Sequence, residues 1–327
     1  IVMIITRTPF RISFVGGGSD LPAFYKVRGG AVLSSTIDKY MYISSHDFFD
    51  SRQILYKYSS SELVSKVADL QHPILRSILL RLKMGTGLEI SSIADVPAGT
   101  GMGSSSSFTV GTLHNLLARL GRGDEATKAW LAEQACEVEI GDLGEPIGKQ
   151  DQYAAAYGGF KIYRFNSDDT VSVEPVVLPD PEGWRSHLKL YYLGNQRSAS
   201  VILSEQSRES AKRSKQDVIS EMVSLVDPFS NALETSNWVE CGRLMHENWL
   251  LKQSIASGIS DLGIKEVYQR GLAAGALGGK LLGAGGGGFM LFVVRPEDHQ
   301  ELDSALSDFR PFPFQWDFEG SRIIYSD

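Results

Sequence analysis

Asp95-Val96-Pro97-Ala98-Gly99-Thr100-Gly101-Met102-Gly103-Ser104-Ser105-Ser106-Ser107-Phe108 alternates glycine with other residues and then turns to serine. The glycines at 99, 101 and 103 let the backbone turn tightly and approach a ligand with no Cβ in the way. The serines run into Phe108, Leu113, Leu116, Leu117 and Leu120, an apolar series near helical spacing. Serine caps helix N-termini well, so the pattern predicts a helix that starts within the serine run. A glycine turn feeding a helix N-terminus is an anion site, because free N–H groups and the positive end of the helix dipole converge there. Phosphate is the expected anion. A flexible Gly/Ser linker is the plain alternative, and Pro97, Met102 and the following helix argue against it. The stretch lacks the Gly-Lys-Ser/Thr close of a Walker loop and the glycine spacing of a dinucleotide fingerprint. It reads as a phosphate loop of another kind.

The chain has 327 residues, enough for two domains or one large one. A net charge of -7 makes nucleic acid and anionic membranes poor partners. Cys136 and Cys241 are too few for a disulfide framework and read as core fillers in a reducing, cytoplasmic setting. No run reaches the length of a membrane span, and Met3 reads as the native start behind Ile1 and Val2.

Upstream of the loop, residues 3–16 read as strand, turn and strand, with Phe10, Ile12 and Phe14 alternating against Arg11 and Ser13. Arg11 thus lies on the polar face of a strand that runs into Gly16-Gly17-Gly18-Ser19-Asp20-Leu21-Pro22. A surface arginine beside a hairpin turn is the alternative. Residues 30–37 and 41–45 read as two further strands, 73–82 as a helix, and 87–92 as a strand feeding the glycine loop. Strands with interleaved helices point to an α+β sandwich and not to regular βαβ repeats.

Downstream, residues 124–140 have helical spacing, with Asp124 as the expected N-cap and Glu139 near the end. Pro146 and Gly148 make a turn, after which Asp151 opens a helix of small residues. There Asp151 is either a cap or a carboxylate aimed at a substrate. Residues 160–165 and 171–177 read as strands, residues 179–183 as the domain boundary, and 189–193 as a strand followed by a Gly-Asn-Gln-Arg-Ser turn. A second glycine-rich stretch, residues 278–288, precedes a strand; it presses against the first loop or a ligand, or is merely a bulge or hairpin.

Three of these segments resemble, in order and spacing, the three motifs of the GHMP kinases, the family of galactokinase, homoserine kinase and mevalonate kinase. They are Pro9 to Asp20, Pro97 to Ser106 and Lys280 to Phe289. Gly148-Lys149-Gln150-Asp151-Gln152, Arg197-Ser198-Ala199 and the tail from Phe312 to Ser321 are similar to a branch of that family that phosphorylates the anomeric position of a heptose 7-phosphate. Where galactokinase carries a Glu-His pair, this chain has Gly17-Gly18, a departure that argues against galactose.

The resemblance implies a fold and a set of roles. The fold is α+β, the two-domain GHMP kinase fold: a ribosomal protein S5 domain 2-like N-terminal domain over 3–180 and a ferredoxin-like C-terminal domain over 181–327, with ATP and sugar in the cleft. Asp151 is the implied catalytic carboxylate and takes the acceptor's proton. Arg11 holds Asp151 ionised and stabilises the phosphoryl group in transfer. Pro97, Gly99, Thr100, Gly101, Met102, Gly103, Ser104, Ser105 and Ser106 form the ATP loop. Ser105 and Glu139 are the implied Mg²⁺ ligands. Gly17, Gly18, Ser19, Asp20, Gln152, Gly285 and Gly286 bind the sugar, and Arg197, Ser198 and Lys149 take a distal phosphate. The implied partner is a small-molecule sugar phosphate, and the oligomeric state is open, a homodimer included. A kinase of an unphosphorylated sugar (fucokinase-like) and a non-catalytic sensor are the competing functions.

Overall fold

The computed structural model describes residues 3–196, 199–256 and 259–327. Strand β1 (Ile4–Val15) is one strand of 12 residues where the sequence predicts strand, turn and strand. Pro9 explains the difference. Proline cannot donate to a ladder, and the register against the neighbouring strand shifts between Pro9 and Phe10, so the break is a bulge and not a turn. After helix α1 (Pro22–Arg28), strand β2 (Gly30–Asp47) likewise joins two predicted strands into one of 18 residues. Next come β3 (Ile54–Lys57), β4 (Ser61–Val64), helix α2 (Pro73–Arg81) and β5 (Leu88–Ala94). β3 runs parallel to β5, while β2 lies between β1 and β5 and is antiparallel to both.

Helix α3 (Ser104–Arg119) lies on this sheet so closely that a Cβ on Gly111 would fall 2.7 Å from Thr8 Oγ1. The buried Asn115 pins it there by donating to Ile4 O (3.1 Å) and Ile43 O (3.0 Å). Helix α4 (Lys128–Cys136) starts later than predicted. Its cap is Thr127, whose side chain accepts from Trp130 N, and Asp124 falls in a separate short turn. Beyond Cys136 the helix widens into a π-type turn, Glu137–Asp142, and α5 (Gln150–Tyr157) follows the Pro146 turn. Strands β6 (Lys161–Phe165) and β7 (Val171–Pro175) extend the sheet from β2.

Helix α6 (Pro181–Ser186) begins where the sequence puts the domain boundary, and β8 (Leu188–Gln196) opens a second sheet. Helices α7 (Ala199–Ser210), α8 (Arg213–Ser224), α9 (Val226–Glu234), α10 (Trp238–Gln253) and α11 (Leu262–Ala273) lead to the hairpin of β9 (Ala276–Leu281) and β10 (Gly287–Val294). After α12 (His299–Ala305) and β11 (Arg310–Pro311), the second sheet reads β11-β8-β10-β9, antiparallel throughout. The tail then leaves it. β12 (Trp316–Asp317) pairs with β2 and β13 (Arg322–Ser326) with β1, so residues 316–326 complete the first sheet although they follow the second in the chain.

An apolar seam joins the two parts. Phe14, at the end of β1, packs its ring 5.8 Å from that of Trp184 and 5.5 Å from that of Phe229, centroid to centroid. Two polar bonds fix the same junction: Gly16 N donates to Asn248 Oδ1 (3.0 Å) and Lys280 Nζ to Ser13 Oγ (3.1 Å). The functional side chains cluster where β1 ends and these bonds begin. Both cysteines are buried and free. No helix among the described residues is long and apolar enough to cross a membrane.

Candidate functional site

β5 delivers the chain into the glycine loop, and α3 leaves it. The residue capping α3 is Gly103, not a serine: its φ of 75° and ψ of 30° are left-handed, a conformation glycine adopts without strain. The serine hydroxyls are therefore used elsewhere. Ser107 donates to Pro9 O (2.9 Å), and Ser105 and Ser106 both donate to Glu139. Thr100 bonds Pro97 O (2.9 Å) and Met102 is buried in the core, so these two anchor the loop through their side chains.

The second glycine-rich stretch forms the end of β9, a turn and the start of β10. It presses on the first loop. A Cβ on Gly101 would collide with the Leu282 carbonyl, and one on Gly288 with the Thr100 carbonyl. The two turns thus touch backbone to backbone.

Arg11 and Asp151, 140 residues apart, form a two-pronged ion pair: Nε to Oδ1 at 2.7 Å and Nη2 to Oδ2 at 2.9 Å. The remaining guanidinium nitrogen, Nη1, donates to Gly101 O, and the Arg11 backbone N–H donates to Met102 O (3.1 Å). One arginine therefore ties the carboxylate to the glycine loop, and the planar fork of the guanidinium fits that task. Asp151 is not the cap of α5; Lys149 occupies that place and makes no side-chain cap bond. The Asp151 side chain is 24% exposed against 5% for Arg11, so the carboxylate is the open end of the pair.

The pair faces a pocket that Asp20, Gly18, Gly148 and Gln150 also line. Asp20 is buried and accepts from Gly18 N (3.2 Å) and Gln150 N (3.3 Å). Burial, and then the charge of Asp151, push its pKa above the usual carboxylate value. Gly17 has open space where a Cβ would stand.

Several residues assigned to the sugar from sequence lie elsewhere. The Ser19 hydroxyl is wholly buried and bonds both N and O of Ala31 at 3.0 Å, so it is committed to β2. Gln152 is buried and donates to Glu139 Oε2 (2.6 Å). Gly285 packs on the Ile259 backbone and Gly286 N bonds Ile259 O; Gly283 and Ala284 line the pocket in their stead. Lys149 donates to Asp169 O (2.8 Å) and lines a different groove with Tyr25 and Lys26. Arg197 and Ser198 lie outside the described residues.

Glu139 sits in the π-type turn and is completely buried. Such widened turns recur at functional sites because they redirect side chains inward. Neutral donors surround its carboxylate: Ser105 Oγ, Ser106 Oγ (2.8 Å) and Gln152 Nε2 (2.6 Å). Burial raises its pKa, these donors lower it, and no cation pairs with it among the described residues. A hydroxyl and a carboxylate in contact at the mouth of a phosphate loop are the hard oxygen donors Mg²⁺ prefers, so the set fits the ion. The described residues hold no cluster of three or more His, Cys, Asp or Glu that could hold a metal.

Sequence reasoning missed Lys252. It is 4% exposed, lines the same pocket as Asp151, and donates to Gly283 O (2.5 Å). Burial and the charge of Arg11 push its pKa down to about 8. The signal was present in the pattern. Cys241, Met245, Asn248 and Lys252 follow one another at spacings of three and four on the buried face of α10, so a lysine falls in an apolar stripe. Lys280, on Ser13, is likewise buried and its pKa lies well below the usual value.

The family model for the GHMP kinases N terminal domain matches residues 63–159, and that for the GHMP kinases C terminal matches residues 230–309. D-glycero-alpha-D-manno-heptose 7-phosphate kinase of Campylobacter jejuni is 30% identical, over 93% of this chain and 93% of that one. L-fucokinase/L-fucose-1-P guanylyltransferase of Bacteroides fragilis is 27% identical over 94% of this chain but only 36% of its own length. Among solved structures, a D-glycero-D-manno-heptose 1-phosphate kinase from Bacteriodes thetaiotaomicron superposes with a TM-score of 0.79 at 25% identity over 99% of both chains. A galactokinase from Lactococcus lactis, at 15% identity and a TM-score of 0.77, shares the fold. With both halves matched and the glycine loop, the Arg11–Asp151 pair and the second glycine turn brought together, the chain belongs to the GHMP kinase family.

Proposed function

We propose that this kinase transfers the γ-phosphoryl group of ATP to the anomeric hydroxyl of D-glycero-D-manno-heptose 7-phosphate, giving the 1,7-bisphosphate. The observation that carries the chemistry is the two-pronged Arg11–Asp151 pair, tied to the glycine loop through Gly101 and facing the pocket. An anomeric hydroxyl is more acidic than an ordinary alcohol, so a carboxylate suffices to take its proton as the oxygen attacks phosphorus. Arg11 fixes the orientation of Asp151 and adds positive charge beside the loop. Phosphoryl transfer asks mainly for such positioning and neutralisation. Gly99, Gly101, Gly103 and the first N–H groups of α3 cradle the phosphates. Ser105 and Glu139 would hold Mg²⁺, which when bound neutralises phosphate charge. Asp20, Gly17 and Gly18 contact the sugar. Ser19 and Gln152 are supports: one holds the turn to β2, the other holds Glu139.

The choice of acceptor is supported by the relative from Campylobacter jejuni, named for a heptose 7-phosphate; the structural neighbour, named for a heptose 1-phosphate, supports a heptose phosphate without its position. With Lys149 held by Asp169 in another groove, Arg197 with Ser198 remains the sequence-based candidate for the distal phosphate. The test is ATP consumption on the heptose 7-phosphate and on free heptose, side by side. Preference for the phosphorylated sugar, with KM raised for it alone in Arg197→Ala, supports the proposal. Preference for the free sugar moves the enzyme to the fucokinase-like reading, and ATP binding without turnover on either favours a sensor.

A further inference from the structure

Lys252 is buried in a pocket whose one ion pair, among the described residues, is Arg11–Asp151. Its ammonium has three donors, of which Gly283 O takes one, and no carboxylate among the described residues is within ion-pair distance. Asp20 and Asp151 face it from the β1 turn and from α5, Arg11 faces it from β1 and Lys280 from β9. Asp151 is already engaged by Arg11 through both oxygens. An ammonium buried with one neutral acceptor is costly unless a ligand supplies negative charge.

Its location says which ligand. Gly283, which Lys252 grips, packs against Gly101, and Gly101 O is the atom that Arg11 grips from the other side. The two cations therefore converge on the contact between the two glycine turns. We propose that Lys252 is a second cation for phosphoryl transfer, its ammonium pairing with oxygens of the phosphoryl group that passes from ATP to the acceptor. The proposal rests on the kinase reading of the pocket but not on the identity of the sugar. In the step, the acceptor oxygen bonds the γ-phosphorus and the bond from that phosphorus to the β–γ bridging oxygen breaks. The acceptor's proton goes to Asp151, and ADP leaves with the bridging oxygen. Lys252 keeps its protons throughout and offsets charge on the moving group.

The test compares full-length Lys252→Met and Lys252→Arg with the wild type, with MgATP and D-glycero-D-manno-heptose 7-phosphate and, separately, for acceptor-free ATP hydrolysis. Removing one preorganised donor of this kind lowers kcat about 100-fold, so Lys252→Met is expected to lose that much in both assays. Lys252→Arg recovers most of it. The pH profile of kcat/KM carries a second readout: the wild type loses activity as pH rises through about 8, where Lys252 gives up its proton; that limb disappears in Lys252→Met and moves upward in Lys252→Arg. Methionine removes a buried charge, so melting temperature holds or rises. The proposal is overturned if Lys252→Met keeps kcat within about threefold of the wild type. It is overturned equally if that variant melts lower and stops binding nucleotide, which would make Lys252 a clamp on the Gly283 turn. If the wild type hydrolyses ATP but ignores the heptose phosphate, the acceptor assignment fails alone and the hydrolysis assay still judges Lys252.

Discussion

Asp151 and Glu139 are two carboxylates of one site with opposite surroundings. Asp151 opens α5, is partly exposed, and has both oxygens held by Arg11. Glu139 lies in a widened turn, is fully buried, and has its oxygens held by two serines and a glutamine. For the first, the protein supplies the opposite charge itself. For the second it supplies only neutral donors, which reduce the cost of burial without cancelling the charge. That difference separates a carboxylate meant to meet a neutral hydroxyl from one meant to meet a cation. A base must present an oxygen to the acceptor and stay fixed while it does so, and a rigid guanidinium fork serves that end. A metal ligand already paired with arginine would bind its ion poorly.

The largest effect is expected at Asp151. Asp151→Asn keeps the shape and removes the proton acceptor, so kcat should fall by roughly three orders of magnitude, within the range for loss of a general base. Nucleotide binding, which rests on the glycine loop, should survive within a small factor. Steady-state kinetics and a nucleotide titration on the same preparation check both halves. If Asp151→Asn turns over at the wild-type rate, the contrast between the two carboxylates collapses and the base lies elsewhere.

Glu139→Gln comes next. The amide keeps the shape and one of the two oxygens, its NH₂ meeting the Ser105 hydroxyl when the oxygen stays with Ser106 and Gln152, but it has no charge for a cation. Affinity for MgATP should drop about 10- to 100-fold while metal-free nucleotide binding changes little. Stability moves the other way, and its pH dependence gives the sign. Glu139 and Asp20 both have pKa values raised by burial. The folded protein therefore takes up protons between the usual carboxylate value and the raised ones, and it loses stability from these groups as pH rises through that window. Without metal, thermal melts on the wild type should show a larger fall from mildly acidic to neutral pH than those on Glu139→Gln. Equal falls in the two proteins would mean that Glu139 is not the strained group.

How much of this could be read in the sequence depended on how local each feature is. The glycine loop, the helix after it and the triple glycine after β1 are set by a few adjacent residues, and all were legible. Pro9 misled, because its missing N–H breaks a ladder only locally and the strand continues past a bulge. Asp151 stayed undecided between cap and functional carboxylate, since the residue that decides, Arg11, is 140 positions away. Ser19 and Gln152 were assigned to the sugar through the family resemblance, beside Asp20 and Asp151 in the chain. Adjacent residues do not share a face, and both side chains point into the structure and not into the pocket. Lys252 was hidden for a related reason: its place on the helix marked it as buried, but only the docking of α10 beside the β9–β10 turn brings it to Arg11 and Asp151.

The smallest effect should separate two serines that look alike in sequence. Ser105 and Ser106 both donate to Glu139, one to each oxygen. Ser106 is almost fully buried and shares Oε2 with Gln152. Removing its hydroxyl leaves that oxygen one strong donor, so Ser106→Ala should cost about 1.5 to 3 kcal/mol of stability, typical of a hydrogen bond to a charged group, and barely change kinetics. Ser105 stands one residue nearer the mouth of the loop and is exposed. If its oxygen is a Mg²⁺ ligand, Ser105→Ala should raise the Mg²⁺ concentration needed for half-maximal rate by several fold at most, a carboxylate and phosphates remaining to bind the ion. Melting curves and Mg²⁺ titrations on the two variants give four numbers. The contrast holds if stability moves mainly in Ser106→Ala and the Mg²⁺ requirement mainly in Ser105→Ala. Equal shifts in both quantities would reduce the serines to a common scaffold for Glu139 and take Ser105 out of the metal site.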